Sequence, residues 1–128
     1  MTGTQADEKA AVTVVKVVDP APAKEFSSPE AGMRFVAVQF RLQNTGTAPY
    51  SDSPSNGAKV IDTQGQQFES TISDTGAGPS FTGTTTIAPG ATALGFITFQ
   101  VPSTSRLAQV QFALDSGFAK DVGQWNLP

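Results

Sequence analysis

The 128-residue chain predicts an all-β fold, an antiparallel β-sandwich of about seven or eight strands. Three observations carry that expectation. Val36, Val38, Phe40 and Leu42 alternate with Ala37, Gln39, Arg41 and Gln43, the period of a strand with one face in a core and the other toward water. Short apolar runs recur between Pro, Gly, Asn and Asp turn signals, as in sandwiches. No stretch of about 12 residues carries the 3.6-residue period of an amphipathic helix, so the crossovers of a parallel sheet are missing.

The elements follow in order. Val12–Val18 is dense in β-branched residues and stops at Asp19-Pro20, where proline removes a donor. Its apolar positions slip from Val12 and Val14 to Val15 and Val17, which predicts a bulge or a change of sheet. Ala21–Gly32 is a loop with Pro22 and Pro29, and the alternating strand then runs to Asn44-Thr45-Gly46. Thr47–Gly57, with Pro49, Pro54 and Asn56-Gly57, reads as loop by its turn chemistry. Ala58–Asp62 and Gln66–Glu69 form a hairpin across Thr63-Gln64-Gly65, with Val60 and Phe68 inward.

Ser70–Gly83 holds three glycines and Pro79, with Ile72 and Phe81 its only large apolar residues. It is expected to be the longest and most mobile loop. Thr84–Ile87 turns at Ala88-Pro89-Gly90 into a second clear strand, in which Gly95, Ile97, Phe99 and Val101 alternate with Phe96, Thr98 and Gln100. Leu107–Leu114 places Val110, Phe112 and Leu114 inward, and Asp121–Leu127 brings in Trp125. Residues 11–128 make one domain, a size at which a single core suffices. The polar lead, 1–10, is expected to be disordered, or the stub that remains after removal of a signal or lipid-anchor segment.

Composition excludes several function classes. Eight Lys and Arg against eleven Asp and Glu give a net charge of −3, so no basic surface offers the counterion release that drives nucleic-acid binding. The chain has neither His nor Cys. Catalytic triads, thiol nucleophiles, disulfides, zinc sites and copper sites therefore lose an essential member. Folding is expected to need no metal or cofactor.

Weaker motifs have plainer readings. Asp52, Asp62, Glu69 and Asp74 stand in or beside turns, where acids cap backbone donors more often than they form a glycosidase pair. Asp52-Ser53-Pro54-Ser55-Asn56-Gly57 echoes half of a calcium loop, but Pro54 takes a ligand position and Thr63 replaces the closing Glu. Gly76-Ala77-Gly78-Pro79 lacks the third glycine and the helix of a dinucleotide fingerprint. Trp125 could stack on a sugar, making the domain a carbohydrate-binding module, but an aromatic near a terminus more commonly pins the last strand.

Three phrases in order, Gly32-Met33-Arg34-Phe35-Val36-Ala37-Val38 running to Leu42-Gln43-Asn44-Thr45-Gly46, then Ala88-Pro89-Gly90, then Gly95-Phe96-Ile97-Thr98-Phe99-Gln100-Val101-Pro102, carry a resemblance. The chain resembles the immunoglobulin-like extracellular domains of unknown function in Gram-positive and actinobacterial secreted proteins and lipoproteins. Its tail, Ser116-Gly117-Phe118 to Val122-Gly123-Gln124-Trp125, is similar to the end of the mycobacterial secreted immunoprotective antigens. The resemblance spans roughly residues 11–127 and implies an immunoglobulin-like sandwich outside the cytoplasmic membrane, often tethered by an N-terminal lipid on a Cys. It brings no catalytic residues.

Two function classes remain: an extracellular or cell-surface module that binds a protein or envelope component through its loops, and a structural spacer that displays something else. Parity puts Met33, Phe35, Leu94 and Phe96 on faces opposite the core, where large apolar side chains need a cover or a partner. The expected covers are Phe26 for one site and Phe81 for the other, with Phe35 and Phe96 too far apart for one patch. In the functional alternative the 70–83 loop opens, and Phe81, Leu94 and Phe96 receive the partner.

Overall fold

The computed structural model describes residues 1–81 and 83–127. Thr82, inside the expected mobile loop, and Pro128 lie outside the described residues. Nine strands are found among the described residues: β1 (Ala10–Val18), β2 (Met33–Asn44), β3 (Tyr50–Asp52), β4 (Ala58–Asp62), β5 (Gln67–Thr71), β6 (Thr85–Ile87), β7 (Thr92–Pro102), β8 (Leu107–Ala113) and β9 (Val122–Asn126). The only helical turns described are 3-10 turns at Pro54–Gly57 and Asp115–Gly117.

Seven strands follow one another in the order β1-β2-β7-β5-β4-β8-β9, and β3 pairs with β6 apart from them. All these strand pairs are antiparallel. β5 belongs to both layers. Its first half pairs with β4 through Val60↔Phe68, and its end pairs with β7 through Ser70↔Phe99 and Thr71↔Thr98. A strand that changes sheets turns the corner of a sandwich. The parity slip in β1 is a bulge at Val15, which falls between the pairs Val14↔Phe40 and Lys16↔Gln39.

β2 and β7 pair over eleven positions, from Met33↔Pro102 to Gln43↔Thr92. Their inward residues Val36, Val38, Phe40, Leu42, Ile97, Phe99 and Val101 meet Val60, Val110, Phe112 and Leu114 in one core. Phe40 and Phe112 touch across the layers with ring centroids 5.3 Å apart, and Trp125 meets Phe40 edge-on at 6.2 Å. The half-buried indole thus ties β9 to the core. Val36, Val38, Phe40, Leu42, Ile97, Phe99, Val101, Val110 and Phe112, expected in the core from strand parity, are all buried, while Phe68 of the hairpin packs against that core only partly buried.

Three expectations need revision. Thr47–Gly57 is not all loop: β3 lies in it, and Tyr50 is buried against Ile87 of β6. Three residues between prolines are too few to show a period. The lead also has partners. Thr2 bridges Lys9, the Met1 amino group donates to the Ala10 carbonyl at 2.8 Å, and the Thr2 N–H donates to Asp121 at 2.8 Å. Finally, Phe35 and Phe96 form one small second core on the outer face of β2 and β7, with Ala37 between them and Ala21 packed on top. Their offset is four residues in register, since Phe96 pairs with Gln39, or about 13 Å along the strand. Ala37 and Ala21 fill that gap. Phe26 covers nothing; it is 99% exposed at φ 63°.

Candidate functional site

The alternation of β7 sets up the site. Gly95, Ile97 and Phe99 face the main core, so Phe96 and Thr98 must face outward. Both are nevertheless only 2% exposed, because loops fold over this face. Pro79 and Phe81 pair with Phe96 along the free edge of β7: the Phe96 N–H donates to the Pro79 carbonyl, and the Phe81 N–H to the Phe96 carbonyl, each at 3.0 Å. A Cβ on Gly78 would stand 2.7 Å from the Phe96 ring, so glycine permits this close approach. From the other side the Lys16 ammonium sits 5.6 Å from the ring centroid, a cation–π contact.

Phe81 goes the opposite way. Its ring packs on the main core in the space left by Gly95, where a Cβ would meet Phe81 Cδ1 at 2.8 Å. Leu94 is 54% exposed and belongs to neither core. Of the three residues expected to receive a partner, Phe81 and Phe96 therefore meet at one cleft and Leu94 does not line it.

That cleft has a volume of about 650 Å³, within the range of small-molecule sites. β7 gives it Thr98 and Phe96, and the end of β5 gives Thr71. The turn before β4 contributes Ser53, Ser55 and Asn56, the 72–74 segment Ile72, Ser73 and Asp74, and the 24–27 loop Lys24, Glu25 and Ser27. Ser80, Phe81 and Gly83 complete it. Hydrogen bonds fix these walls: Ser70 Oγ donates to the Ser55 carbonyl at 2.6 Å, the Gly76 N–H to the Pro22 carbonyl at 2.7 Å, and Ser27 Oγ to the Asp74 carbonyl at 3.3 Å. The loop expected to be mobile is thus held at Pro22, Ser27 and Phe96. Thr98 Oγ1 and Ser80 Oγ are buried and find no hydrogen-bond partner among the described residues. Buried hydroxyls nearly always have one.

A second polar cluster lies at the amino-terminal segment. The Thr4 N–H donates to Asp115 at 2.6 Å, while Asp52 accepts from the Ser116 N–H and, at 2.6 Å, from Ser116 Oγ. These contacts hold Asp115 and Ser116 at φ 55°, a region costly for residues other than glycine. Burial pushes the Glu8 carboxyl up to about 7, assisted by its hydrogen bond to Asp115 and by that group's charge. Burial also raises Asp115, but hydrogen bonds from Glu8 and Thr4 outweigh it and hold the group below its ordinary value. Burial, with the charges of Asp52, Asp115 and Glu8, raises the Tyr50 phenol. The bonds from the Thr2 N–H to Asp121 and from the Thr4 N–H to Asp115 fasten the lead to the domain.

Of the other acids singled out in the sequence, Glu69 lies within β5 opposite Lys59 and Asp74 lines the cleft. Asp62 accepts from the Gln64 and Gln66 N–H groups at 2.9 and 2.8 Å and so closes the β4–β5 hairpin. Asp52 is engaged by Ser116, and Asp52–Asn56 leads into a 3-10 turn rather than a ring of ligands. Among the described residues no group of three or more His, Cys, Asp or Glu could hold a metal ion, and no helix is long and apolar enough to cross a membrane.

A family profile described as a domain of unknown function matches residues 3–122. The chain belongs to that family, DUF4352. Solved structures share its fold. A candidate lipoprotein (ycdA) of Bacillus subtilis superposes with a TM-score of 0.69 at 18% identity, covering 94% of this DUF4352 chain and 38% of that one. The secreted protein MPT63 of Mycobacterium tuberculosis gives 0.65 at 16% identity, with 99% and 89% covered. The yjhA protein of Bacillus subtilis gives 0.63 at 14%, with 90% and 79% covered. The DUF4352 chain thus spans well under half of the candidate lipoprotein. No curated protein matches it in sequence. The resemblance seen in the sequence and the β-sandwich architecture are both established by these matches.

Proposed function

We propose that this DUF4352 domain is a non-catalytic module that works outside the cytoplasmic membrane and binds a component of the cell envelope in the cleft beside β7. The observation that carries this reading is the cleft itself, whose walls are fixed by hydrogen bonds and whose floor holds two hydroxyls with no partner among the described residues. Such a site is built to receive polar groups and contains no activated nucleophile or base. The names of two fold relatives, a candidate lipoprotein and a secreted protein, support an extracellular setting. A lipid on a preceding segment would tether the domain there.

Co-sedimentation with isolated envelope fragments tests the reading. Ser73→Trp places an indole in the cleft from a partly exposed position whose side chain makes no hydrogen bond. The wild-type domain should sediment with the fragments, and Ser73→Trp should stay in solution with an unchanged melting temperature. Equal behaviour of the two proteins would make the domain a spacer.

A further inference from the structure

The geometry points to a neutral, hydroxyl-rich saccharide as the class of ligand that this cleft takes, an inference that rests on the binding function proposed above. Thr98 carries the argument. It sits in the middle of β7 between Ile97 and Phe99, 2% exposed, with an Oγ1 that finds no hydrogen-bond partner among the described residues, and both Thr98 and Ser80 line the cleft. Valine has nearly the same shape, suits a strand, and leaves no unsatisfied group, so packing alone favours it at this position. A buried threonine with an idle hydroxyl is explained by something that visits the cleft.

The lining selects the visitor. Ser53, Ser55, Asn56, Thr71 and Ser73 offer side chains that donate and accept. Hydroxyl groups of a sugar do the same and can satisfy either sense at each point. Lys24 is balanced by Glu25 and Asp74, and no arginine lines the cleft, so the forked cation that phosphate and carboxylate polymers favour is missing. Ile72 is 103% exposed at the rim. Its apolar side chain suits the C–H face of a pyranose ring.

An extended peptide fits less well. It would bind by adding a strand to the free edge of β7. That edge is already taken, by β5 at Thr98 and Phe99 and by Pro79 and Phe81 at Phe96.

The test uses chito-oligosaccharide and cello-oligosaccharide as neutral probes, with poly(glycerol phosphate) and an unstructured peptide as comparators. Binding to the whole domain is followed by calorimetry and by amide chemical shifts. One of the neutral oligosaccharides should bind and shift Ser55, Thr71, Ser80 and Thr98. Thr98→Val should weaken it about 2- to 12-fold, the loss of one net hydrogen bond, while its melting temperature stays equal or rises. A purely structural Thr98 would instead lower the melting temperature and leave saccharide affinity unchanged, which overturns the inference. Preference for the phosphate polymer or the peptide, or no saccharide binding at millimolar concentration, overturns it too. In those cases, sedimentation that Ser73→Trp abolishes would still uphold the binding function with a different ligand.

Discussion

Gly95→Ala should destabilise the domain, and the same change should stabilise it once Phe81 has been cut back to alanine. A methyl on Gly95 would stand 2.8, 2.9 and 3.0 Å from Cδ1, Cγ and Cε1 of Phe81. The ring must therefore move off the core, and overpacking of this kind costs about 1–3 kcal/mol. Against it stands a gain of about 0.4–1 kcal/mol, because alanine leaves less backbone entropy to lose than glycine where the conformation is ordinary. The net loss is then about 0.5–2 kcal/mol, which in a domain of this size lowers the melting temperature by roughly 2–8 °C. In the Phe81→Ala background the collision is gone, and only the entropic gain of about 0.4–1 kcal/mol remains. Urea unfolding of the four proteins, with m-values compared, measures the cycle. A stabilising Gly95→Ala in the wild type, or a destabilising one in the Phe81→Ala background, would refute the inward placement of Phe81.

Phe40→Ala and Phe112→Ala should each cost about 3–5 kcal/mol as fully buried aromatics, and their double-mutant cycle should show a coupling of about 0.5–1.5 kcal/mol for rings in contact; chemical denaturation reads both. Glu8 binds its proton more tightly folded than unfolded, so its contribution is complete below pH 4.5 and is lost as pH rises through about 7. Asp115 works in the other sense, losing its contribution as pH falls through its ordinary 3.8 and below. The wild-type melting temperature should therefore decline between pH 5 and pH 8, and Glu8→Gln, which cannot ionise, should flatten that decline; thermal scans across this range test it.

Much of the fold was legible because β2 and β7 are long enough for parity to repeat. The bulge at Val15 was legible for the same reason, since it interrupts a repeat. Parity fails where an element is short or where it must name a cover. Tyr50 sits in a three-residue strand and showed no repeat. Phe35 and Phe96 were placed on the outer face, but whether Ala21 or Phe26 would lie over them depends on a loop path that no local pattern encodes.

The cleft was half legible. Phe81 drew attention as a lone aromatic in a glycine-rich loop, and Phe96 as an outward one. Thr98 gave no such signal, because an isolated threonine in a strand is ordinary until its hydroxyl is seen to lack a partner. Ser55, Asn56 and Ser73 reach the same cleft from segments far apart in sequence, and only the course of β5 through both layers brings those segments together.

The two-residue period of β7 has an evolutionary consequence. Gly95, Ile97 and Phe99 answer to the interior, whereas Phe96 and Thr98 line the cleft, and the two sets do not share a side. Selection can therefore rewrite the chemistry of the cleft floor one alternate residue at a time while the scaffold stays as it is. Sister domains built on this frame are free to diverge on that face without first having to relearn how to fold.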